Sequence, residues 1–292
     1  MFNLRRVLSR RELRDLEAVG EPCVKPFDSD LLRIVAFSDY RVQDISLLLD
    51  FLKKLEPKPH LILYGGDDVE RFRVGKRNLF EELASFSAHG LCGVLGNDPP
   101  EDEESDGDEI RLIPDTKTLR AYIQGMNVYN VHERPLVLGK YAVIGSEGSP
   151  PDKEFGDVGV VIYSEQSIGR HLQLAAKSAR GKLLIVVSHC PPRGALDLAV
   201  RFGRRRIGSV ALRKFLAARK NVPLVVCGHA HFCGAQAQKL ERSTVVNTAS
   251  HDDFGAPGRI AIIEVRAGTV CGVQWHNLWE LGSVCGIKEL RA

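Results

Sequence analysis

The sequence predicts an α/β fold whose chemistry-bearing residues collect along one sheet edge. Three observations carry that prediction. From Leu31 onward, short apolar runs alternate with amphipathic segments in βαβαβ order, which predicts parallel strands with helices outside. Toward the end, the chain turns to closely spaced strand-like segments. Five apolar runs end in a residue able to bind a metal: Ile34–Asp39, Leu61–Asp67, Gly93–Asn97, Leu183–His189 and the run closing on Cys227-Gly228-His229-Ala230-His231. Ligands of open α/β sheets gather at the carboxyl ends of strands. Mixed oxygen and imidazole donors suit Mn, Fe, Zn or a related hard-to-borderline ion.

Residues 1–27 read as a helical extension, because Leu4, Val7, Leu8, Leu13, Leu16 and Val19 recur at near-helical spacing. The remainder, 28–292, reads as one domain, with no internal repeat and no flexible linker. Strands are expected at Arg33–Phe37, Leu61–Tyr64 and Leu91–Leu95. Helices are expected at Asp44–Leu55, with Ile45, Leu48, Leu49, Phe51 and Leu52 inward, and at Lys76–Phe86. The run EDEESDGDE at Glu101–Glu109 is a solvated acidic loop on composition. Shorter β segments follow at Pro135–Leu138, Tyr141–Ile144 and Val158–Tyr163. A helix is expected at Ser167–Ser178, a strand at Leu183–Val187, a helix at Val210–Ala218 and a strand at Leu224–Val226. Ser243–Asn247, Arg259–Val265 and Cys271–Trp275 read as antiparallel strands, the last two joined by the turn Arg266-Ala267-Gly268-Thr269.

Composition excludes several classes. Hydrophobic content of 44% and charged content of 26% are those of an ordinary globular chain, large enough to need no staples. A net charge of +3 does not by itself imply a nucleic-acid partner. No apolar run approaches the roughly 18 residues needed to cross a bilayer. The first residues lack the apolar core of a secretory signal, and Glu12, Asp15 and Glu17 argue against a basic transit segment. Seven scattered cysteines without C-x-x-C predict reduced thiols and a cytoplasmic setting. No phosphate loop with Lys-Ser/Thr and no Gly-x-Ser-x-Gly elbow occurs, so kinase, NTPase and serine-hydrolase readings have no support.

The metal-capable segments stand in order as Asp39-Tyr40-Arg41, Gly66-Asp67-Asp68-Val69-Glu70, Gly96-Asn97-Asp98, Ser188-His189-Cys190-Pro191-Pro192 and Gly228-His229-Ala230-His231. Together they resemble the pattern of the calcineurin-like metallophosphoesterase superfamily: D-x-H, G-D-x-x-D/E, G-N-H-D/E, a single His after a strand, and G-H-x-H. The resemblance runs from about Leu31 to Val265. Gly194-Ala195-Leu196-Asp197 and Gly208-Ser209 look like a branch of small bacterial and archaeal members, and Asn247-Thr248 resembles a late Asn-rich strand end. The resemblance implies a four-layer αββα sandwich of two mixed β-sheets flanked by helices. It also implies a metal-dependent phosphoester hydrolase in which a metal-bound hydroxide attacks phosphorus in line.

Two cations about 3.5–4 Å apart can clamp a phosphoryl group and acidify a bridging water. On the resemblance, Asp67 would bridge them. Asn97, His189 and His229 would complete the second ion's shell, and Asp39 and His231 would serve the first. One or two divalent ions per chain are expected, of Mn, Fe, Zn or Ni. Two positions depart from the family pattern. Arg41 stands where the first His is usual, and a guanidinium has no lone pair for a metal. The first ion should therefore bind weakly or not at all, and Arg41 could grip a phosphate oxygen instead. Asp98 replaces the His that assists the leaving group. It could do that work only as a carboxylic acid. Other residues at that place accompany phosphodiesterases in the family, so a diester is the expected substrate, more a small molecule than a nucleic acid.

Other readings compete. Loss of two site histidines would also suit a non-catalytic descendant that binds a protein partner. The run Arg201, Arg204, Arg205 and Arg206 would suit a nuclease, although Glu101–Glu109 would repel a long polyanion. A structural zinc site of Cys227, His229, His231 and Cys233 lacks the usual C-x₂₋₄-C pair. Glu70 falls on the family's last acidic position but, with Asp68, reads as solvated or helix-capping. His251, Asp252 and Asp253 read as a surface loop. The oligomeric state is not legible.

Overall fold

The computed structural model describes residues 19–42, 45–97, 116–151, 161–200, 203–250 and 258–278. Asp98, Glu101–Glu109, Arg201, His251–Asp253 and Trp279 lie outside them.

Thirteen strands build two large sheets. They are β1 (Cys23–Lys25), β2 (Leu31–Phe37), β3 (Leu61–Tyr64), β4 (Leu91–Gly93), β5 (Val128–Asn130), β6 (Leu136–Leu138) and β7 (Tyr141–Ser146), then β8 (Leu183–Ser188), β9 (Leu224–Cys227), β10 (Gln236–Leu240), β11 (Ser243–Asn247), β12 (Arg259–Arg266) and β13 (Thr269–Asn277). One sheet runs β13-β12-β2-β3-β4-β5 and the other β1-β6-β7-β8-β9-β11-β10. Strands β2, β3, β4 and β5 are mutually parallel, as are β7, β8, β9 and β11. Antiparallel strands close each sheet: β12 pairs with β2 and β13, and β10 with β11.

The central strands of both sheets are buried on both faces, and alternate residues show why. Leu32, Ile34 and Ala36 of β2 and Leu61 and Leu63 of β3 pack with Tyr141 and Val143 of β7, Ile185 and Val187 of β8, and Leu224 and Val226 of β9. That is the core between the sheets. The intervening residues, such as Val35, Phe37, Ile62 and Tyr64, face helices instead, with Leu48, Leu52, Phe80 and Leu83 among their neighbours. The architecture is the expected four-layer αββα sandwich of two mixed sheets.

Five helices lie in the described residues: α1 (Ser46–Lys54), α2 (Leu79–Ser85), α3 (Thr116–Tyr122), α4 (Glu165–Ser178) and α5 (Val210–Ala217). Their starts follow from capping chemistry. Asn78 accepts from the Phe80 N–H, so α2 begins later than periodicity alone predicts, and Arg77–Asn78 pairs with Arg73–Val74 in a small hairpin. Ser164 caps α4 through Ser167 N–H, and Ser209 caps α5 through Leu212 N–H. The Glu165 carboxylate adds acceptors for the Val210 and Ala211 N–H groups, binding the start of α5 to that of α4.

Three expectations need amendment. Residues 1–18 of the expected helical extension lie outside the described set, and Cys23–Lys25 is a strand paired in parallel with β6. A free sheet edge supplied backbone partners that periodicity cannot register. Ser243–Asn247 is antiparallel only to β10 and runs parallel to β9. Of Val158–Tyr163, only the last three residues are described, and Ile162 makes a single bridge to Ser149. No helix among the described residues is long and apolar enough to cross a membrane.

Candidate metal centre

The carboxyl ends of β2, β3 and β4 in one sheet meet those of β8 and β9 in the other. Each of the five delivers a turn. Ser38-Asp39 follows β2, Gly65-Gly66-Asp67-Asp68 follows β3, Gly96-Asn97 lies just beyond β4, His189 follows β8 and Gly228-His229 follows β9. The turns are stitched across the two sheets. His189 Nδ1 lies 2.9 Å from the Gly65 carbonyl, His229 N–H donates to Asp39 Oδ2 at 3.2 Å, and His231 Nε2 is 2.8 Å from Asp39 Oδ1.

These turns carry unusual backbone. Asp39, Arg41, Asp67, Asp68 and His229 all have positive φ, between 47° and 63°, and make up five of the ten non-glycine residues so placed among those described. Such conformations are disfavoured for branched L-residues and persist where the surroundings overdetermine them. Glycine is needed beside them for room. A β-carbon on Gly96 would run into the Asp67 carboxylate, and one on Gly228 would meet Ser38 Oγ and Asp39 Oδ2.

The donor set then closes on itself. Asp39, Asp67 and His189 are buried and offer ligand atoms within 4.8 Å of one another. His189 Nε2 stands 2.9 Å from Asn97 Oδ1 and 3.6 Å from Asp67 Oδ2. A carbonyl only accepts, so His189 Nδ1 carries the proton given to Gly65. In the neutral ring Nε2 is then a bare lone pair facing two further acceptors. A divalent ion fits this mixture of carboxylate, amide oxygen and imidazole. The His189–Gly65 bond is the kind of contact that fixes the tautomer of a metal-binding histidine.

Electrostatics divide the neighbours. Burial alone would raise the Asp39 pKa. The His231 hydrogen bond and the charges of His231, His189 and Arg41 outweigh it and hold the carboxyl well below the usual range. Burial pushes Asp68 up, against the pull of Arg41 and Arg71. His229 is pushed down to about 3, first by burial and then by His189.

Of the residues singled out from sequence, Asp39, Asp67, Asn97, His189, His229 and His231 are brought together here, and Arg41 joins them through Asp68. Its Nη1 is 3.4 Å from Asp68 Oδ1 and its N–H 3.3 Å from Asp68 Oδ2. Asp68 is therefore not solvated, as its surroundings in sequence suggested. Its side chain is 2% exposed and also lies 3.4 Å from Arg71 Nε. Asn247 has a part that sequence reasoning did not assign. Its Nδ2 contacts the carbonyls of Leu196, Gly228 and Ala230 at 3.1–3.3 Å, pinning both sides of His229. The only sequence signal was its place at a late strand end. The Arg205–Arg206 strand pairs with Leu198–Ala199, and Cys233, just after His231, contacts the Leu198 carbonyl. Asp197 holds Arg206 at 2.6 Å, and Arg205 adds positive charge near His229. The free cysteines Cys190, Cys227 and Cys233 are buried, and burial raises each thiol pKa, so they behave as small apolar residues.

Residues 32–233 match the family model described as calcineurin-like phosphoesterase. No match was found among curated proteins. The chain is similar to the crystal structure of TT1561 of Thermus thermophilus, at 17% identity and a TM-score of 0.55, covering 85% of this chain and 99% of that one. A weaker likeness joins it to the calcineurin-like phosphoesterase YfkN from Bacillus subtilis, at 11% identity and a TM-score of 0.43, covering 88% and 93%. The first of these likenesses speaks for the fold. The family model spans most of the chain and includes every one of the five metal-capable turns, so the chain belongs to the calcineurin-like phosphoesterases, a family of metal-dependent phosphoester hydrolases.

Proposed function

We propose that this protein is a cytoplasmic, metal-dependent phosphodiesterase acting on a small phosphodiester. The observation that carries the metal-dependent reading is the meeting of Asp67 Oδ2, Asn97 Oδ1 and His189 Nε2, three acceptors within reach of one cation. In this reading Asp67, Asn97, His189 and His229 would hold one ion, with Asp39 and His231 on the other side of Asp67. Mn, Fe, Zn and Ni all suit these donors. A bound divalent ion supplies a Lewis acid for phosphoryl oxygens and renders a water acidic enough to attack at neutral pH.

The chain's own residues do the rest. Gly65 keeps the His189 proton on Nδ1 and so keeps Nε2 turned inward. Asn247 holds the carbonyls on either side of His229 and sets the angle of that ring. Arg41 places a permanent positive charge at the cleft for a phosphate oxygen. The leaving alkoxide takes its proton from Asp98 or from water. The diester preference rests on Asp98 standing where the family's leaving-group histidine is usual.

Metal-stripped protein refilled with Mn should hydrolyse bis-p-nitrophenyl phosphate faster than p-nitrophenyl phosphate, and His229→Ala should remove that turnover. Faster monoester cleavage would overturn the diester assignment. Folded protein inactive with Mn, Ni, Fe and Zn alike would replace catalysis with the partner-binding reading.

A further inference from the structure

The two sides of Asp67 differ in what the protein already supplies. On the Asn97 side, Asp67, Asn97 and His189 bring a carboxylate, an amide oxygen and an imidazole together. On the Asp39 side, the carboxylate is surrounded by donors. Asp39 Oδ1 takes the His231 contact at 2.8 Å, and Oδ2 takes Ser38 Oγ at 2.5 Å and the His229 N–H at 3.2 Å. A carboxylate accepts, so in the metal-free protein His231 Nε2 gives its proton to Asp39. Next to it stands Arg41, 11% exposed at its side chain, clasped by Asp68 through both its N–H and its guanidinium. Arg71 lies on the same Asp68 oxygen and holds the clasp from the other side. A guanidinium stays protonated and repels any metal ion brought beside it.

We infer that this is a one-ion centre, in which the Asp68-clasped Arg41 guanidinium stands as a fixed cation on the Asp39 side of the site. Asp68 and Arg71 are then positioning residues. The pair Arg41 and Asp68 acts as one substitution: the arginine brings a charge and the aspartate next to Asp67 keeps it in place. Burying a guanidinium without such a partner is unfavourable, which explains why an acidic side chain is buried in this turn. The inference rests on the metal-dependent reading of the site and specifies its stoichiometry.

The test counts ions. Full-length protein is stripped, reloaded with excess Mn(II), dialysed and assayed by elemental analysis, with the electron paramagnetic resonance spectrum as a second readout. One ion per chain and a spectrum without Mn–Mn coupling are expected. Arg41→His should raise the count to two and introduce coupling. Two ions in the natural protein, or one ion in folded Arg41→His, would overturn the inference while leaving metal dependence intact. No ion in folded natural protein would instead overturn the metal-dependent reading on which it rests. Should Arg41→His fail to fold, the paired change Arg41→Gln with Asp68→Asn removes both buried charges. A second, coupled ion is expected there too, and its absence would count against the inference.

Discussion

Two buried polar clusters lie at the carboxyl ends of neighbouring strands, and they solve burial differently. Beyond β7, Glu147 is fully buried and meets Arg120 Nη2 and Tyr163 Oη at 2.5 Å, with Arg120 Nε at 3.0 Å. Every short contact there joins a donor to an acceptor. Beyond β8, His189 is equally buried, but its Nε2 faces Asn97 Oδ1 and Asp67 Oδ2. A buried cluster with matched hydrogen-bond roles is complete and structural. One that gathers a carboxylate, an amide oxygen and an imidazole lone pair offers a donor set for an added cation. Burial or charge by itself would not separate the two; the direction of each proton does.

The sharpest way to break this comparison is to change one acid in each cluster's service. Asp67→Asn should cut metal-dependent turnover by about 10³-fold or more, since a metal's charge stabilisation is worth several kcal/mol. Its metal-free form should melt no earlier than the parent, because a crowd of acceptors has lost a charge. Retained turnover in a rate assay would remove Asp67 from the site. Arg120→Leu, which strips Glu147 of its cation, should do the reverse. Leaving Glu147 buried without that partner costs about 3–5 kcal/mol, measurable by denaturant unfolding with or without metal. A loss that vanished on adding metal would place Arg120 in the ion's service instead.

Asn247→Leu tests the support beneath His229. It removes a side-chain donor from three carbonyls, and changes of this kind lower metal affinity or activity about 10–100-fold. Titration calorimetry with Mn reads the affinity directly, and unchanged binding would reduce Asn247 to a packing residue.

The smallest effect is a pH slope. His132 stacks on His171 beside the Glu147 cluster, and burial, then His171 and Arg120, push its pKa well below the ordinary value. The folded chain keeps this ring neutral at pH values where the unfolded chain protonates it. Its contribution to stability is whole above about pH 6.5 and is lost as pH falls below that, by about 1.4 kcal/mol per unit for one proton. His132→Phe should flatten that part of the stability profile. An unchanged slope between about pH 6.5 and 5 would show that other groups set it.

Much of this was legible from residues alone. Leu61–Tyr64 and Ser243–Asn247 have the bounds that their apolar runs predicted, and the ends of the other core strands moved by at most a few residues. Strands buried on both faces write themselves as continuous apolar runs, and capping residues mark α2, α4 and α5. The strands Gln236–Leu240 and Cys23–Lys25 were not legible. The first is largely polar and exposed at a sheet edge, the second only three residues long. Neither has a pattern of its own, because the partner strand supplies the hydrogen bonds.

For the site, the division is sharper. Residue type and order alone determined which side chains could serve an ion, because lone pairs belong to the residue and strand ends to the pattern. Sequence also flagged Arg41 as unable to ligate a metal. Only the tertiary structure decided that Asp68 clasps it, that the Gly65 carbonyl sets the His189 tautomer, and that Asn247 holds the His229 turn. Those contacts join residues 27, 124 and 17 to 51 positions apart. Local preference carries no information over such distances; the packing of one sheet edge against the other does.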